Sequence, residues 1–438
     1  MGLVSGVVDT DRRVIVLALA RMVGAAGNSF LIVVLPLYIA SDLVDIDSLL
    51  GTAVGVGAAS VTLTEPLLIG LVLSLFGFLN SLSQPLTGRL SDRTGVRRPF
   101  VLAGILLLGT ASGLYTIADA YWQLIALRAA QGFGAALIIP STVALVNEYA
   151  ASDADRGGNF GVYNTFRLIG FGFGPVVAGA VVSRGPYDLS AIGVPVLDGF
   201  DAAFVAACAG AYLSFALVFL LVRDAAESSE ASDDLSIRVR GEGRLLDPVF
   251  ALGLATVAMG ICIALFATLQ TQVNARLDQP PVWFGLQFAA VTIANVLFQV
   301  PVGQASDRIG RRPFLLAGFV LLAPTTLLQG IVTDPLVMTL VRLAQGVAVA
   351  CVFAPSLALA GDLAREGESG TTLSVLTMGF GFGVAVGPLA SGWLYGFGFV
   401  VPFAAGAALA VVALVTVVTQ VEETLGAGKD ASTPSAAD

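Results

Sequence analysis

The sequence predicts an all-α integral membrane protein of 12 transmembrane helices, built as two six-helix bundles related by a pseudo-twofold axis along the membrane normal. Three observations carry that expectation. Of 438 residues, 56% are hydrophobic and only 12% charged, with a mean hydropathy of +0.87, whereas soluble domains carry about 25% charged residues. The apolar residues fall into a dozen runs long enough to cross a hydrocarbon core, which takes about 20 residues of helix. Finally, the hydrophilic stretch "GRLSDRTGVRRPF" from Gly88 returns as "GQASDRIGRRPF" from Gly303.

The runs lie near 14–39, 66–87, 99–118, 121–146, 159–183, 201–222, 248–272, 283–302, 313–332, 335–360, 371–396 and 400–421, each bounded by charge, Gly or Pro. Runs such as "FVLAGILLLG" from Phe100 do not alternate apolar and polar residues, which excludes the strands of a membrane barrel. The first run is too long for a signal peptide and ends in "LPLY" rather than in small residues, so it reads as a helix that stays. Orientation follows from the basic residues. Arg21, Arg128, Arg167 and Arg342 fall inside runs, Arg184 and Arg276 lie on one side, and the remaining sixteen of the 22 Lys and Arg lie on the other. Cytoplasmic loops hold that excess, so both termini are expected in the cytoplasm, with the chain multi-pass in the cytoplasmic (plasma) membrane.

The repeat extends beyond the quoted loop. Asp92 and Asp307 are 215 residues apart, Arg128 and Arg342 are 214 apart, and Gly174-Pro175 and Gly387-Pro388 are 213 apart. An offset so nearly constant marks an internal duplication. Six helices per repeat is an even number, which gives the halves one orientation. The expected organisation is an N-terminal bundle over 1–222, a polar, acid-rich linker over 223–247, a C-terminal bundle over 248–421 and a disordered cytoplasmic tail over 422–438.

These residues resemble the major facilitator superfamily (MFS) of transporters over essentially the whole chain. The family's loop motif, Gly-x-Leu-Ser/Ala-Asp-Arg-x-Gly-Arg-Arg, is matched by Gly88, Leu90, Ser91, Asp92, Arg93, Gly95, Arg97 and Arg98, and again by Gly303, Ser306, Asp307, Arg308, Gly310, Arg311 and Arg312. Val96 displaces the first Arg pair by one position, leaving open whether Arg97 or Arg98 makes the family's contact. The physics expected of the motif is a latch. Gly88 would end the second helix in a tight turn, Asp92 would accept hydrogen bonds at a helix N-terminus, and the Arg residues would reach a carboxylate. The resemblance implies helix 11, starting at Gly370-Thr371-Thr372, as the neighbour and Glu148 as the carboxylate. By symmetry Asp307, Arg311 and Arg312 would meet Gly158-Asn159 and Asp362. The plainer reading is a positive loop that only sets topology, which explains the Arg but not the repeated Asp and Gly.

"RLIGFGFGPVVAG" from Arg167 lies inside an apolar helix rather than in a turn after a strand, so it is no phosphate cradle. Gly170 and Gly174 form a face for close helix packing. Gly170, Gly174, Pro175 and Gly179 also resemble the helix-5 motif of MFS antiporters, and together with "LPLY" they bring the chain nearest the 12-helix drug:proton antiporter branch.

A charge at the bilayer centre costs about 2.5–3.5 kcal/mol on insertion scales, so the four embedded Arg residues need a reason. Arg128 and Arg342 lie near enough to helix ends to snorkel. Arg128 also resembles the family's helix-4 Arg-x-x-x-Gly motif, linked to proton coupling, with Arg342 as its echo. Arg21 and Arg167 would pair with Glu148 or line an inner vestibule. Asn28, Gln131, Asn164, Gln270, Asn295, Gln299 and Gln345, with Arg21, Arg167 and Arg342, are candidates for a central substrate cavity.

The chain has no His, and Cys208, Cys262 and Cys351 all lie in apolar runs, so neither metal nor disulfide nor any cofactor is expected. No carboxylate lies mid-helix. An enzyme is excluded as the expectation: there is no phosphate-binding loop, no metal cluster and no Ser-His pair. The expected function is secondary active transport of a small molecule by alternating access, in the form of proton-coupled efflux of amphipathic, drug-like compounds. The alternatives are uptake or facilitated diffusion of a metabolite or organic anion, and a non-transporting membrane sensor. Expected partners are the small-molecule substrate, H⁺ or Na⁺ as coupling ion and the lipid bilayer; no nucleic acid is expected, and the chain is expected to be a monomer.

Overall fold

The computed structural model describes residues 11–56, 59–150, 153–188, 190, 196–224, 245–363 and 369–423. Most of the expected linker and nearly all of the expected tail lie outside the described residues. Among the described residues twelve helices are long and apolar enough to cross a membrane, and the chain is a multi-pass α-helical membrane protein. The first half holds α1 (Arg12–Ile39), a hairpin of β1 (Ala53–Val56) and β2 (Ala59–Thr62), α2 (Glu65–Thr94), α3 (Arg98–Leu114), α4 (Tyr121–Glu148), α5 (Asp153–Arg184) and α6 (Gly199–Leu221). The second holds α7 (Pro248–Thr268), the short α8 (Gln270–Leu277), α9 (Pro281–Ile309), α10 (Arg311–Leu328), α11 (Pro335–Leu363), α12 (Ser369–Tyr395) and α13 (Val401–Gln420).

Two boundaries differ from expectation for one physical reason. Apolar runs mark where lipid begins, whereas helices stop where the backbone turns. Helix α2 runs past the apolar limit at residue 87 to Thr94 and ends on Gly95, which has φ 67°. Helix α9 likewise ends at Ile309, before Gly310 with φ 122°. These left-handed conformations suit residues without Cβ. Gly88, expected as the turn residue, and its counterpart Gly303 are therefore inside helices. A methyl group on Gly88 would meet Pro140 Cβ at 3.5 Å, and one on Gly303 would meet nothing within 4 Å. The seventh span is also interrupted at Leu269, and α8 continues to Leu277, beyond the expected end at 272.

Side-chain caps start several helices: Thr64 Oγ1 accepts from the N–H of Leu67, Asp198 from Asp201, and Asp247 from Val249. The repeat shows in packing. Helix α3 packs on α4 and α6, and its counterpart α10 packs on α11 and α13; α1 packs most extensively on α5. Prolines recur inside equivalent helices: Pro85 and Pro301, Pro140 and Pro355, Pro175 and Pro388. Leu17, Val101, Leu145 and Val218 belong to the first half's core; Leu252, Phe319, Val352 and Ala410 belong to the second's.

The chain divides into two compact units. The first comprises Met1–Ser232, Ala267–Ala289 and Ser391–Gly396; the second comprises Asp233–Phe266, Ala290–Ala390 and Phe397–Asp438. Within the first, the α1–α2 connection carries the antiparallel hairpin, in register from Ala53 opposite Thr62 to Val56 opposite Ala59. No strand is expected here from the sequence; the stretch is β-branched and Gly-rich, which suits a short extended pair.

Candidate functional site

The first repeated loop forms a buried ionic cluster. Arg97 lies just after the left-handed Gly95 turn and its side chain is 4% exposed. Its Nη1 stands 2.6 Å from Asp92 Oδ1 and donates to Ser91 Oγ at 3.1 Å, while its Nε donates to Glu148 Oε1 at 3.2 Å. Ser141 Oγ on α4 reaches Ser91 Oγ at 3.3 Å and ties α4 into the group. Arg97 therefore makes the contact with Glu148. Arg98 turns the other way: its guanidinium lies 5.1 Å over the Phe219 ring and donates to the Phe219 carbonyl on α6.

The second loop repeats the arrangement nearer the surface. Arg311 Nη1 donates to the Ala358 carbonyl at 2.7 Å and pairs with Asp362, and Nη2 is 3.4 Å from Asp307 Oδ1. Arg312 donates to the Val418 carbonyl on α13 at 2.7 Å, as Arg98 does to α6. Arg93 and Arg308 are exposed.

Each cluster also has a carboxylate that sequence reasoning missed. Asp224 Oδ1 accepts from the backbone N–H groups of Arg97 and Arg98 at 2.6 and 2.7 Å, at the start of α3. Glu423 Oε2 accepts from the N–H of Arg312 at 2.8 Å, at the start of α10. A carboxylate on the free N–H groups of a helix start satisfies them and opposes the helix dipole.

Inside the spans, Arg128 and Arg342 are both fully buried, at 1% and 0% exposure, which rules out snorkelling. Arg128 donates to Gln131 Oε1 at 3.1 Å and Asn28 Oδ1 at 3.2 Å, and lies 4.5 Å over the Phe76 ring. Arg342 donates to Gln345 Oε1 at 2.5 Å and Gln329 Oε1 at 3.2 Å, and lies 4.4 Å over Phe266. Gln131 continues to Ser112 at 3.0 Å and Gln345 to Thr326 at 3.3 Å. Gln131 and Gln345, expected to line a cavity, are thus spent inside their own halves. Neutral oxygens and ring faces hold these charges, and among the described residues no carboxylate pairs with Arg128.

Arg21 and Arg167 do not pair with Glu148, which Arg97 occupies. Both belong to the α1–α5 crossing, where Gly170 packs against Met22, so their like charges lie in one neighbourhood, and Arg167 Nε donates to Asn164 Oδ1 at 2.9 Å. Gln270 is fully buried, with neither amide atom hydrogen-bonded, and Asn295 Oδ1 is likewise unmatched. Gln299 is half-buried.

The glycines of α5 do what close packing requires. A methyl on Gly170 would collide with the Met22 carbonyl oxygen, and one on Gly174 would lie 2.6 Å from the Ala26 oxygen. In the second half a methyl on Gly383 would collide with the Val257 carbonyl oxygen, and one on Gly387 would lie 2.6 Å from Ala264 Cβ. Farther along α5, a methyl on Gly179 would lie 2.9 Å from Val282 Cα, and one on Gly285 would collide with the Pro175 carbonyl oxygen.

A duplicated set of membrane-spanning helices, with an Arg-carboxylate cluster at the end of each half and one buried Arg within each half, defines a membrane-transporter fold. The sequence profile of the Major Facilitator Superfamily matches residues 17–272 and 249–435. The chain belongs to this family. It is 27% identical over 141 residues to Multidrug resistance protein 2 of Bacillus subtilis (strain 168), covering 32% of this chain and 35% of that one. The matched segment thus spans about a third of that relative's length. The uncharacterized MFS-type transporter YfkF of the same organism is 24% identical over 310 residues, 69% of this chain and 73% of its own. Among solved structures, a bacterial homolog of the human lysosomal transporter Spinster, inward-facing and occupied, superposes with TM-score 0.70 at 16% identity over 93% and 94% of the two chains. The nucleoside transporter NupG superposes with TM-score 0.69 at 12% identity over 94% and 99%. At such identities the likeness is one of fold.

Proposed function

We propose that this transporter exports small amphipathic compounds across the cytoplasmic membrane by alternating access, driven by the proton gradient, as a monomer with both termini in the cytoplasm. The observation that carries the reading is Arg128: a charge that is fully buried and, among the described residues, held by Asn28, Gln131 and the Phe76 ring with no carboxylate. A guanidinium in such a site is stable only while the surrounding helices stay in place, so any rearrangement that hydrates it is favoured, which biases a two-state equilibrium. The drug-antiporter-like glycines of α5, the name of the Bacillus subtilis relative and the excess of basic residues on the terminus-bearing side support the direction and orientation. The clusters around Arg97 and Arg311 act as latches, each bracing the cytoplasmic end of its own half.

The test is dye flux in proteoliposomes under imposed pH and Na⁺ gradients. The expected outcome is movement driven by the pH gradient, and at least tenfold slower with Arg128→Ala. Gradient-driven flux at the wild-type rate in that variant removes Arg128 from coupling. A second reading, transport of an organic anion without regard to the gradient, is favoured by one observation: Arg21, Arg128 and Arg167 have no carboxylate partner among the described residues.

A further inference from the structure

Two Arg residues flank the crossing of α1 and α5: Gly170, one turn past Arg167, packs against the backbone of Met22, the residue after Arg21. Each lies about 14 Å along its span, counted from Arg12 to Arg21 and from Gly158 to Arg167. Like charges repel, and a medium poorer in water than the surface strengthens the repulsion. The structure does nothing to relieve it. Arg21 has no hydrogen-bond acceptor for its buried Nε, Arg167 has only the neutral Asn164 oxygen, and among the described residues no carboxylate pairs with either. In the two loop clusters the Arg is answered by carboxylates, Arg97 by Asp92 and Glu148 and Arg311 by Asp307 and Asp362, and the buried Arg128 at least has two neutral side-chain oxygens and a ring face.

The surroundings leave room for what is missing. About one turn and nearly two turns beyond Arg21, added methyl groups at Gly24 and at Gly27 would meet nothing within 4 Å, so α1 borders open space at both. On α5, Asn164, Arg167 and Phe171 fall at helical spacings of three and four, on one face. The Phe171 ring has its centroid 6.0 Å from that of Phe288. Four residues of helix separate Arg167 from Phe171, or about 6 Å, the length of a small aromatic acid from its charged oxygens to its ring.

Resting on the transporter reading above, we infer that Arg21 and Arg167 form an anion subsite that binds the carboxylate or sulfonate of an amphipathic aromatic acid, whose ring lies along Gly24, Gly27 and Phe171. The ligand supplies the counter-charge that the protein withholds. Guanidinium forks match carboxylate geometry, so the acid gains charge-assisted hydrogen bonds that its amide cannot make. A lipid phosphate offers the same chemistry, and composition of the bilayer separates the two sources.

The experiment is calorimetric binding to the full chain in phosphatidylcholine nanodiscs, with 2-naphthoate, 2-naphthalenesulfonate and the neutral 2-naphthamide as probes. Both acids should bind at least tenfold more tightly than the amide. Arg21→Gln and Arg167→Gln should each weaken the acids about 10- to 100-fold and leave the amide within twofold, and Arg167→Lys should restore part of the loss. Because the two charges repel in the empty protein, either Gln variant should melt at or above the wild-type temperature, while naphthoate should raise the melting temperature of wild type alone. Equal affinity for acid and amide, or variants that lose both equally, overturns the subsite. Acid binding abolished when phosphatidylglycerol is included would show that a lipid headgroup is the occupant, which also overturns it. Binding is read without transport, so acid-selective affinity in a protein whose dye flux ignores the pH gradient sustains the subsite and rejects only the proton-coupled reading.

Discussion

The Arg97 and Arg311 clusters are built from the same residue types at nearly the same offset, yet one is buried and the other half open. Glu148 is 8% exposed and Asp362 39%; Asp92 is 37% exposed and Asp307 58%. The extra residue Val96 accounts for much of the difference. It lets the chain drop Arg97 beneath the end of α2, where Ser91 and Ser141 add a polar floor. Arg311 follows Gly310 directly and reaches Asp307 along one face, and Ser306 spends its hydroxyl on the Gly303 carbonyl of its own helix. Duplication fixes which groups meet, and one inserted residue sets how much water they keep, hence how much their pairing is worth.

The largest expected effect breaks the deeper cluster. Arg97→Ala leaves Glu148 buried without its partner and should cost about 3–5 kcal/mol, read as a lowered unfolding midpoint in detergent; a cost like that of Arg311→Ala would erase the asymmetry. Next are two changes that should be equal in the halves. Gly170→Ala and Gly383→Ala force carbonyl and methyl apart and should each cost about 1–3 kcal/mol. Unequal costs would mean that the crossings are not equivalent. Removing the helix-start carboxylates by Asp224→Ala or Glu423→Ala should cost about 0.5–2 kcal/mol each. The smallest effect sharpens the contrast: Arg311→Ala should cost about 1 kcal/mol or less and fade further at high salt, as expected of a pair in water.

Much of this was legible in sequence, because the duplication prints its key residues twice. Asp92 and Asp307, and Arg128 and Arg342, are named by offset, while Glu148 came from the family resemblance and Asp362 from symmetry with it. The family motif left Arg97 and Arg98 undecided, because the choice depends on the turn at Gly95 rather than on spacing. Asp224 and Glu423 escaped notice for a different reason. They stand at the first residues of stretches whose composition reads as linker and tail, and their separation of 199 departs from the offset of the other pairs, since the connections before the sixth helices differ in length. The burial of Arg128 was hidden because hydropathy records depth along a span and not the direction a side chain faces. The break at Leu269 carries no Gly or Pro to announce it.

The crossings of α1 with α5 and of α7 with α12 have a mechanical consequence. Where Gly170 meets the Met22 carbonyl and Gly383 meets the Val257 carbonyl, backbone bears on backbone with no side chain between. Side chains are the compliant layer of a helical protein, since they change rotamer at little cost, and a joint without them is stiff. Each such pair therefore works as one strut, which delivers displacement at one end to the other undiminished.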